Sequence, residues 1–299
     1  MIEINNVVKK FDRYSAVNKL NFKIEDGTIC GLVGTNGSGK STLLRSISGV
    51  YNIEGGNIKV DGEDIFENTQ KKSEIFYVSD DMYFPPNLNL MQIGKFYKSM
   101  YQDFDEDKFN NLLEKFPLDA KKKTRTYSKG MYRQAALIIA VSCNPKYLLL
   151  DEAFDGLDPV IRVAVRKIIV EEVAERKMTA VIASHNLREL EDLCDTVYIM
   201  HKGKLATSLK SDEIGEHFCK VQAAFKPMPE KEKLMLEDVL SVNIHGSVAT
   251  IVAKCSTEKL MNEINILNPI FTEYMALSLE EVFVYEMEAI GYDYNKIIF

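Results

Sequence analysis

The residues with the clearest chemical potential form the run GTNGSGKS at residues 34–41, which has the spacing G-x-x-x-x-G-K-[ST]. Its glycines let the backbone wrap closely around an anion, so that amide groups and a helix N-terminus point at it. Lys40 supplies a mobile positive charge for the β- and γ-phosphates, and the Ser41 hydroxyl is a ligand for Mg²⁺. A short apolar run precedes the loop and a run with helical spacing follows it, which argues against a chance glycine-rich turn. The loop therefore predicts a nucleotide site.

Two adjacent carboxylates, Asp151 and Glu152, follow the apolar run YLLL at residues 147–150. The first is placed to hold Mg²⁺ through water, and the second to polarise a water molecule toward the γ-phosphate as a general base. His185 ends the next strand-like segment, from which it can reach the same phosphate. A single histidine is more often structural, but a position beside the carboxylate strand favours a functional role.

Two aromatic residues near the start of the chain, Phe11 and Tyr14, lie between the first two strand-like segments. Either ring could stack on an adenine base. A core or edge aromatic is an equally good interpretation of this segment taken alone.

The segments that carry these residues alternate between strand-like and helical patterns, which predicts an α/β fold with a mostly parallel core sheet. Polar residues at the carboxyl ends of such strands are placed to meet a ligand. Half-buried alternation at residues 2–4 and 20–24 predicts an antiparallel β subdomain at the N-terminus, and helical patterns predict an inserted helical subdomain at about residues 82–145. We therefore expect a P-loop NTPase domain at residues 1–215.

The pattern changes from about residue 216. Two alternating segments around a Gly246-Ser247 turn predict an antiparallel hairpin with a two-residue loop. The run SLEE at residues 278–281 is a capping box that begins a helix, and Gly291 is placed to end it. These features predict a small C-terminal α+β accessory domain at residues 216–299, with no catalytic pattern.

Bulk composition narrows the function classes. The formal net charge of -7 argues against a nucleic-acid partner. The five cysteines are scattered without a C-x-x-C pair, which indicates a reducing compartment and neither a zinc site nor a disulfide framework. The first residues lack a signal-peptide pattern, and no apolar run approaches the ~20 residues that span a bilayer. We expect a cytoplasmic protein whose membrane role depends on a partner.

Together these motifs resemble the nucleotide-binding subunit of ATP-binding-cassette (ABC) transporters over roughly the first two thirds of the chain. The resemblance makes residues 34–42 the Walker A loop and residues 148–152 the Walker B strand with its catalytic glutamate. It makes residues 155–158 the D-loop, His185 the switch histidine and Phe11 the adenine-stacking aromatic. It implies ATP and Mg²⁺ as cofactors, with contacts from Phe11, Gly34, Thr35, Asn36, Gly37, Ser38, Gly39, Lys40, Ser41 and Thr42.

Two motifs depart from the family pattern. The run YSKGM at residues 127–131 takes the place of the signature LSGGQ and keeps its serine and second glycine as Ser128 and Gly130. In the family these two residues contact the γ-phosphate bound by the other subunit. In the Q-loop, Asp80 stands where the family has glutamine. A carboxylate can still ligate Mg²⁺, so the implied metal ligands are Ser41, Asp80 and Asp151, and the implied catalytic residues are Glu152 and His185.

The resemblance implies an ATPase that dimerises on ATP and powers export through a separate integral membrane permease, on the inner face of the cell membrane. The second cassette is a copy of this chain or a relative. The helical segment at residues 82–101, with Phe84 and Tyr97, is the candidate groove for a short helix of the permease.

The divergent signature and the C-terminal SLEEVF run look like bacterial exporter subunits for peptides, antibiotics or cytolytic peptides of the phenol-soluble-modulin type. Two other classes remain open. DNA-repair and translation-associated members fit less well, because the chain has no heptad insert and only one cassette. A low-turnover nucleotide-gated sensor is the alternative that Asp80 and Lys129 favour.

Overall fold

The computed structural model describes residues 1–210 and 218–289, with side chains to residue 285. The chain divides into two compact units, and the division falls between Leu205 and Ala206. The boundary predicted at residues 215 and 216 lies outside the described residues and stays a prediction, as does the helix end at Gly291.

Ten strands belong to the first unit or begin in it: β1 (Ile2–Phe11), β2 (Tyr14–Ile24), β3 (Ile29–Val33), β4 (Gly55–Val60), β5 (Glu63–Asp64), β6 (Ile75–Val78), β7 (Tyr147–Asp151), β8 (Thr179–Ser184), β9 (Thr196–His201) and β10 (Lys204–Lys210). Its α-helices are α1 (Lys40–Ile47), α2 (Thr69–Ser73), α3 (Leu90–Met100), α4 (Glu106–Lys115), α5 (Lys129–Ser142), α6 (Pro159–Arg176) and α7 (Leu187–Leu190).

The strands form two sheets. An antiparallel sheet has the order β2-β1-β4-β5, and a six-stranded sheet has the order β10-β9-β3-β8-β7-β6. The pairings from β9 through β3, β8 and β7 to β6 are all parallel. The predicted P-loop NTPase fold, with a mostly parallel core sheet and an N-terminal antiparallel subdomain, is therefore confirmed.

The main apolar core joins the two sheets and helix α1. It contains buried residues of β1, β2 and β4, of β3, β7 and β8, and of α1. Strand β7 is buried along its whole length, as expected for a central parallel strand. Because β7 and β8 are neighbours with Asp151 opposite Ala183, the residues that follow both strands meet at one edge of the sheet.

The helical subdomain consists of α3, α4, a 3₁₀ turn at Thr124–Thr126 and α5. Helix α3 begins at an Asn89–Gln92 capping box, so only the second part of the segment 82–101 is helical. Phe84 is only 2% exposed and packs on Tyr132, with ring centroids 4.9 Å apart. Aromatic packing within the subdomain therefore buries Phe84, and the role of residues 82–101 as a groove for a permease helix stays a prediction.

The second unit has a four-stranded antiparallel sheet with the order β12-β13-β11-β14. Its described elements are β11 (Cys219–Ala224), α8 (Lys231–Leu234), β12 (Val239–His245), β13 (Val248–Ala253), α9 (Thr257–Asn265), β14 (Phe271–Met275) and α10 (Leu279–Ala289). The predicted hairpin is confirmed, since His245 pairs with Val248 across a two-residue turn. The predicted capping box is confirmed too: Ser278 N donates to Glu281 Oε2, and Glu281 N donates to Ser278 Oγ.

Across the described ranges, residues 1–210 and 218–289, no helix has the length and apolar character needed to cross a bilayer.

Candidate nucleotide site

The loop between β3 and α1 is fixed by backbone on both sides. A Cβ on Gly34 would lie 2.3 Å from the Met200 carbonyl oxygen, and a Cβ on Gly39 would lie 2.4 Å from the Ala16 carbonyl oxygen. Gly39 also has φ 105, a conformation that favours glycine. Both positions therefore need glycine, as the phosphate-loop interpretation requires.

The polar groups of the loop fit a bound anion. Lys40 is 5% exposed, and its Nζ donates to the Gly34 carbonyl oxygen at 2.7 Å. Burial lowers the pKa of Lys40, and the nearby carboxylates of Glu152 and Asp151 partly offset that effect. Ser38 Oγ is buried and has no hydrogen-bond partner among the described residues. A phosphate would supply the counter-charge and the acceptor that these groups need.

Asp151 lies fully buried at the end of β7. Ser41 Oγ donates to its Oδ1 at 2.9 Å, and the Tyr77 hydroxyl donates to its Oδ2 at 2.9 Å. Burial raises the pKa of Asp151, and the two hydroxyl donors only partly oppose this. A buried carboxylate beside a serine hydroxyl is an oxygen donor set that suits Mg²⁺. The structure thus brings Ser41 and Asp151 together, as predicted.

Glu152 and His185 meet at the same edge of the sheet. His185 Nδ1 lies 2.9 Å from Glu152 Oε2, and Lys40 Nζ lies 3.9 Å from Glu152 Oε1. The side chains of Glu152, His185 and Asp155 also place ligand-type atoms within 4.8 Å of one another. The carboxylate that was predicted to be the base therefore lies between the phosphate-loop lysine and the predicted switch histidine.

Arg133 is a site residue that the motifs did not reveal. Its Nη1 donates to the Glu152 carbonyl oxygen at 2.6 Å, from the second turn of helix α5. Tyr77 was also missed, although a tyrosine in an otherwise apolar strand is a signal that could have indicated it. Sequence spacing does not show that β6 neighbours β7, which is what brings Tyr77 to Asp151.

Asp80 pairs with an arginine in this structure. Its Oδ1 lies 3.2 Å from Arg45 Nη2, and Asp81 Oδ1 lies 3.3 Å from the same nitrogen. Arg45 also donates to the hydroxyl groups of Tyr51 and Tyr77, both at 3.3 Å. Asp80 therefore belongs to a network that reaches Asp151 through Tyr77, and its role as a metal ligand stays a prediction.

The signature segment lies at the start of α5. Ser128 is the N-cap, with its Oγ accepting from Met131 N at 3.2 Å, and both Ser128 and Lys129 are exposed. The two line a cavity of about 370 Å³ to which none of the described residues 34–41 contributes. Ser128 and Lys129 thus line a cavity that the phosphate loop of their own chain does not share.

The two candidate adenine-stacking rings differ in their surroundings. Phe11 is 42% exposed and meets Tyr51 edge-on, with ring centroids 5.4 Å apart. Tyr14 is more exposed and donates its hydroxyl to the Gly37 carbonyl oxygen at 3.2 Å. Both rings are open to solvent, and the stacking role of Phe11 stays a prediction.

Comparison with known proteins agrees with this geometry. The family model described as ABC transporter matches residues 17–155. The ABC transporter ATP-binding protein YtrB of Bacillus subtilis is 30% identical over 284 residues, which cover 95% of this chain and 97% of YtrB. The linearmycin resistance ATP-binding protein LnrL of Bacillus subtilis is 33% identical over 220 residues, 71% of this chain and 70% of LnrL. Import ATP-binding proteins for sulfate/thiosulfate and for methionine are relatives as well.

Among solved structures, the dimeric ADP- and Pi-bound form of the cassette MJ0796 matches 71% of this chain and 99% of that chain. The TM-score is 0.64 at 20% sequence identity, so this match shows that the two chains share a fold. The match to YtrB extends over both units of the chain. The chain therefore belongs to the ABC transporter family, as an ATP-binding protein that carries the family's ATPase cassette.

Proposed function

We propose that this chain binds ATP and Mg²⁺, pairs with a second cassette when ATP is bound, and hydrolyses ATP to drive export through a separate membrane permease. The observation that carries the proposal is the contact set of Glu152. One carboxylate oxygen lies 2.9 Å from His185 Nδ1 and the other 3.9 Å from Lys40 Nζ. A base candidate, a phosphate-binding cation and an orienting imidazole are thus within reach of one reacting phosphate.

The chain's own residues divide the work of hydrolysis. Backbone amides of the loop and Lys40 bind the β- and γ-phosphates and balance charge that develops on them. Glu152 accepts a proton from the attacking water, and His185 holds Glu152 and the water in line. Ser41 and Asp151 would hold Mg²⁺, which would supply positive charge to offset the negative charge of the phosphates.

A second cassette is part of the proposal because of the charge at the start of the signature helix. Ser128 caps a 14-residue helix that has no acidic residue in its first turn, and Lys129 adds a positive charge. Such a helix start attracts a phosphate. The γ-phosphate held by a partner's loop would satisfy it, so that ATP joins two cassettes and its hydrolysis releases them. The partner is a copy of this chain or a relative.

Glu152→Gln tests the mechanism, because glutamine keeps the size of the side chain and cannot accept the proton. The ATP hydrolysis rate should fall roughly 100-fold or more. The variant should elute as an ATP-dependent dimer in size-exclusion chromatography. A bulky substitution of Ser128 in the Glu152→Gln background should abolish that dimer while leaving binding of ATP to the monomer unchanged. Hydrolysis at the parent rate in Glu152→Gln would contradict the assignment of the base.

The permease part of the proposal is supported by the surface of helix α3. Phe96 is 56% exposed, and Met91 and Met100 on the same helix and Tyr83 before it are exposed too. An exposed aromatic and methionine patch suits a short apolar helix of a partner. The protein would then lie in the cytoplasm, on the inner face of the cell membrane.

Export is proposed as the direction, with peptides, antibiotics or cytolytic peptides as cargo. A linearmycin resistance protein among the relatives supports export, although the relatives also include import proteins. The alternative is a low-turnover sensor, which the Asp80–Arg45 ion pair favours because it ties the Q-loop carboxylate to a cation. Steady-state ATP hydrolysis of the purified chain, with and without its permease, separates the two.

A further inference from the structure

Helix α5 holds the backbone of Glu152 through a buried arginine. Arg133 is 8% exposed, and its Nη1 donates to the Glu152 carbonyl oxygen at 2.6 Å. Its Nη2 lies 3.5 Å from the carbonyl oxygen of Asp80. One guanidinium group therefore contacts the residue predicted to be the base and the loop after β6. Nothing in the hydrolysis scheme above uses it.

The peptide that Arg133 contacts is in an uncommon conformation. Glu152 has φ 48, in the left-handed region, where a residue with a side chain is strained and persists only if its surroundings hold it. On one side, Glu152 N donates to the Ala183 carbonyl oxygen at 3.0 Å, which ties it to β8. On the other side, the Glu152 carbonyl accepts from Arg133 and from Asp155 N, the latter at 3.2 Å. Of these three hydrogen bonds, only the one from Arg133 comes from a side chain.

A second contact joins α5 to the same segment. A Cβ on Gly130 would lie 2.7 Å from the Gly156 carbonyl oxygen, so the first turn of α5 presses against the backbone there. Helix α5 thus contacts both ends of the segment at residues 152–156: Arg133 contacts residue 152, and Gly130 lies against residue 156. The same first turn carries Ser128 at its N-cap. Any shift of α5 along its axis must therefore change how Glu152 is held.

We propose that Arg133 is a positioning residue that aligns the Glu152 carboxylate for proton abstraction, and that it links this alignment to the signature turn. The inference rests on the proposed role of Glu152 as the base. Helix α5 of one cassette then contacts the γ-phosphate of the nucleotide bound by the partner cassette. The same helix positions Glu152, which acts on the nucleotide bound by its own cassette. Arg133 acts only through Glu152 and need not touch ATP, so its loss should change the rate of hydrolysis and not the binding of ATP.

Arg133→Met tests the proposal, because methionine keeps much of the buried chain and removes every donor. The kcat for ATP hydrolysis should fall roughly 10- to 100-fold, the loss expected when a catalytic group is misplaced by about 1 Å. The KM for ATP and the affinity for a fluorescent ATP analogue should stay within about twofold of the parent values. Arg133→Lys keeps a charged donor and should recover part of the lost kcat.

Arg176→Met is the matched control. Arg176 also donates to two backbone carbonyls, those of Asn144 and Pro145 at 3.3 and 3.2 Å, but it lies at the far end of α6. This variant should leave kcat unchanged. Thermal unfolding of both variants shows whether Arg133→Met costs more stability than the loss of a half-buried arginine that also binds backbone carbonyls.

The outcomes separate the two proposals. If Arg133→Met keeps the parent kcat while Glu152→Gln loses it, the positioning role is wrong and the base assignment stands. If Glu152→Gln also keeps the parent kcat, the proposed function itself fails. If Arg133→Met loses ATP affinity together with kcat, or if Arg133→Lys recovers nothing, Arg133 serves folding alone and the inference is overturned. The inference is supported if Arg133→Met lowers kcat without weakening ATP binding, and if adding Arg133→Met to Glu152→Gln lowers kcat no further.

Discussion

Replacing Tyr77 by phenylalanine removes the hydroxyl group that donates a hydrogen bond to Asp151. The Tyr77 hydroxyl donates to Asp151 Oδ2 at 2.9 Å and accepts from Arg45 Nε at 3.3 Å. Burial, together with the Asp151 carboxylate, raises the pKa of Tyr77, so the hydroxyl is a donor at neutral pH. The substitution leaves one oxygen of a fully buried carboxylate without its donor, while Arg45 keeps Tyr51, Asp80 and Asp81 as partners.

The cost can be worked from these contacts. A hydrogen bond to a charged group contributes about 1.5 to 3 kcal/mol net, so we expect Tyr77→Phe to destabilise the cassette by about 2 kcal/mol. For a unit of this size that corresponds to a fall in Tm of about 4 to 8 °C. Tyr101→Phe is the control, since Tyr101 is equally half-buried and its hydroxyl only reaches the Ile75 carbonyl oxygen at 3.5 Å. Its Tm should fall by about 2 °C or less.

The assay is thermal and urea unfolding followed by circular dichroism at neutral pH, in Mg²⁺-free buffer. A double-mutant cycle with Asp151→Asn adds a direct measure, because the two substitutions should cost less together than the sum of each alone. The reasoning would be refuted if Tyr77→Phe lowered Tm no more than Tyr101→Phe, or if the cycle showed no coupling.

Two further predictions follow from other parts of the first unit. Burial alone would raise the pKa of Asp61, but hydrogen bonds from Lys146 and Tyr147 outweigh it and hold the pKa well below the usual 3.8. Asp61→Asn should therefore cost about 2 kcal/mol at neutral pH. That cost should shrink as the pH falls below 3.8, where the unfolded chain binds the proton first, and a difference constant from pH 7 to pH 3 in urea unfolding would contradict the sign. Phe96→Glu should abolish recovery of the protein with membranes while the purified chain keeps its ATPase rate. Val163, on α6, is also exposed, and Val163→Glu should keep both membrane recovery and the ATPase rate. Membrane recovery of Phe96→Glu at the parent level would reject the α3 surface as the permease contact.

The features predicted correctly from the sequence are those that local spacing controls. The loop between β3 and α1, the two carboxylates at the end of β7 and the hairpin around Gly246 each depend on a few neighbouring residues. Placing His185 beside Glu152 needed one further step, that β8 neighbours β7, and the alternation of strands and helices suggested it. In each case the physical cause lies within one or two elements.

The features that were missed depend on contacts between distant elements. Arg133 of α5 reaches the Glu152 carbonyl oxygen just after β7, and nothing in the YSKGM run indicates that approach. The burial of Phe84 was not predicted, because it depends on contact with Tyr132 of α5. Burial of a side chain is decided by the packing of several elements, so a single segment does not reveal it.

The crowding of Gly39 against the Ala16 carbonyl has a consequence for protein engineering. Gly203 meets the same oxygen, since a Cβ there would lie 2.7 Å from it, and Gly203 N donates to the Ser38 carbonyl. The conformation of the nucleotide loop thus depends on backbone contacts with β2 and with the β9–β10 turn. A graft of residues 34–41 into a foreign scaffold would lose these contacts. The loop would keep its conformation only if the backbone of β2 and of the β9–β10 turn were transplanted with it.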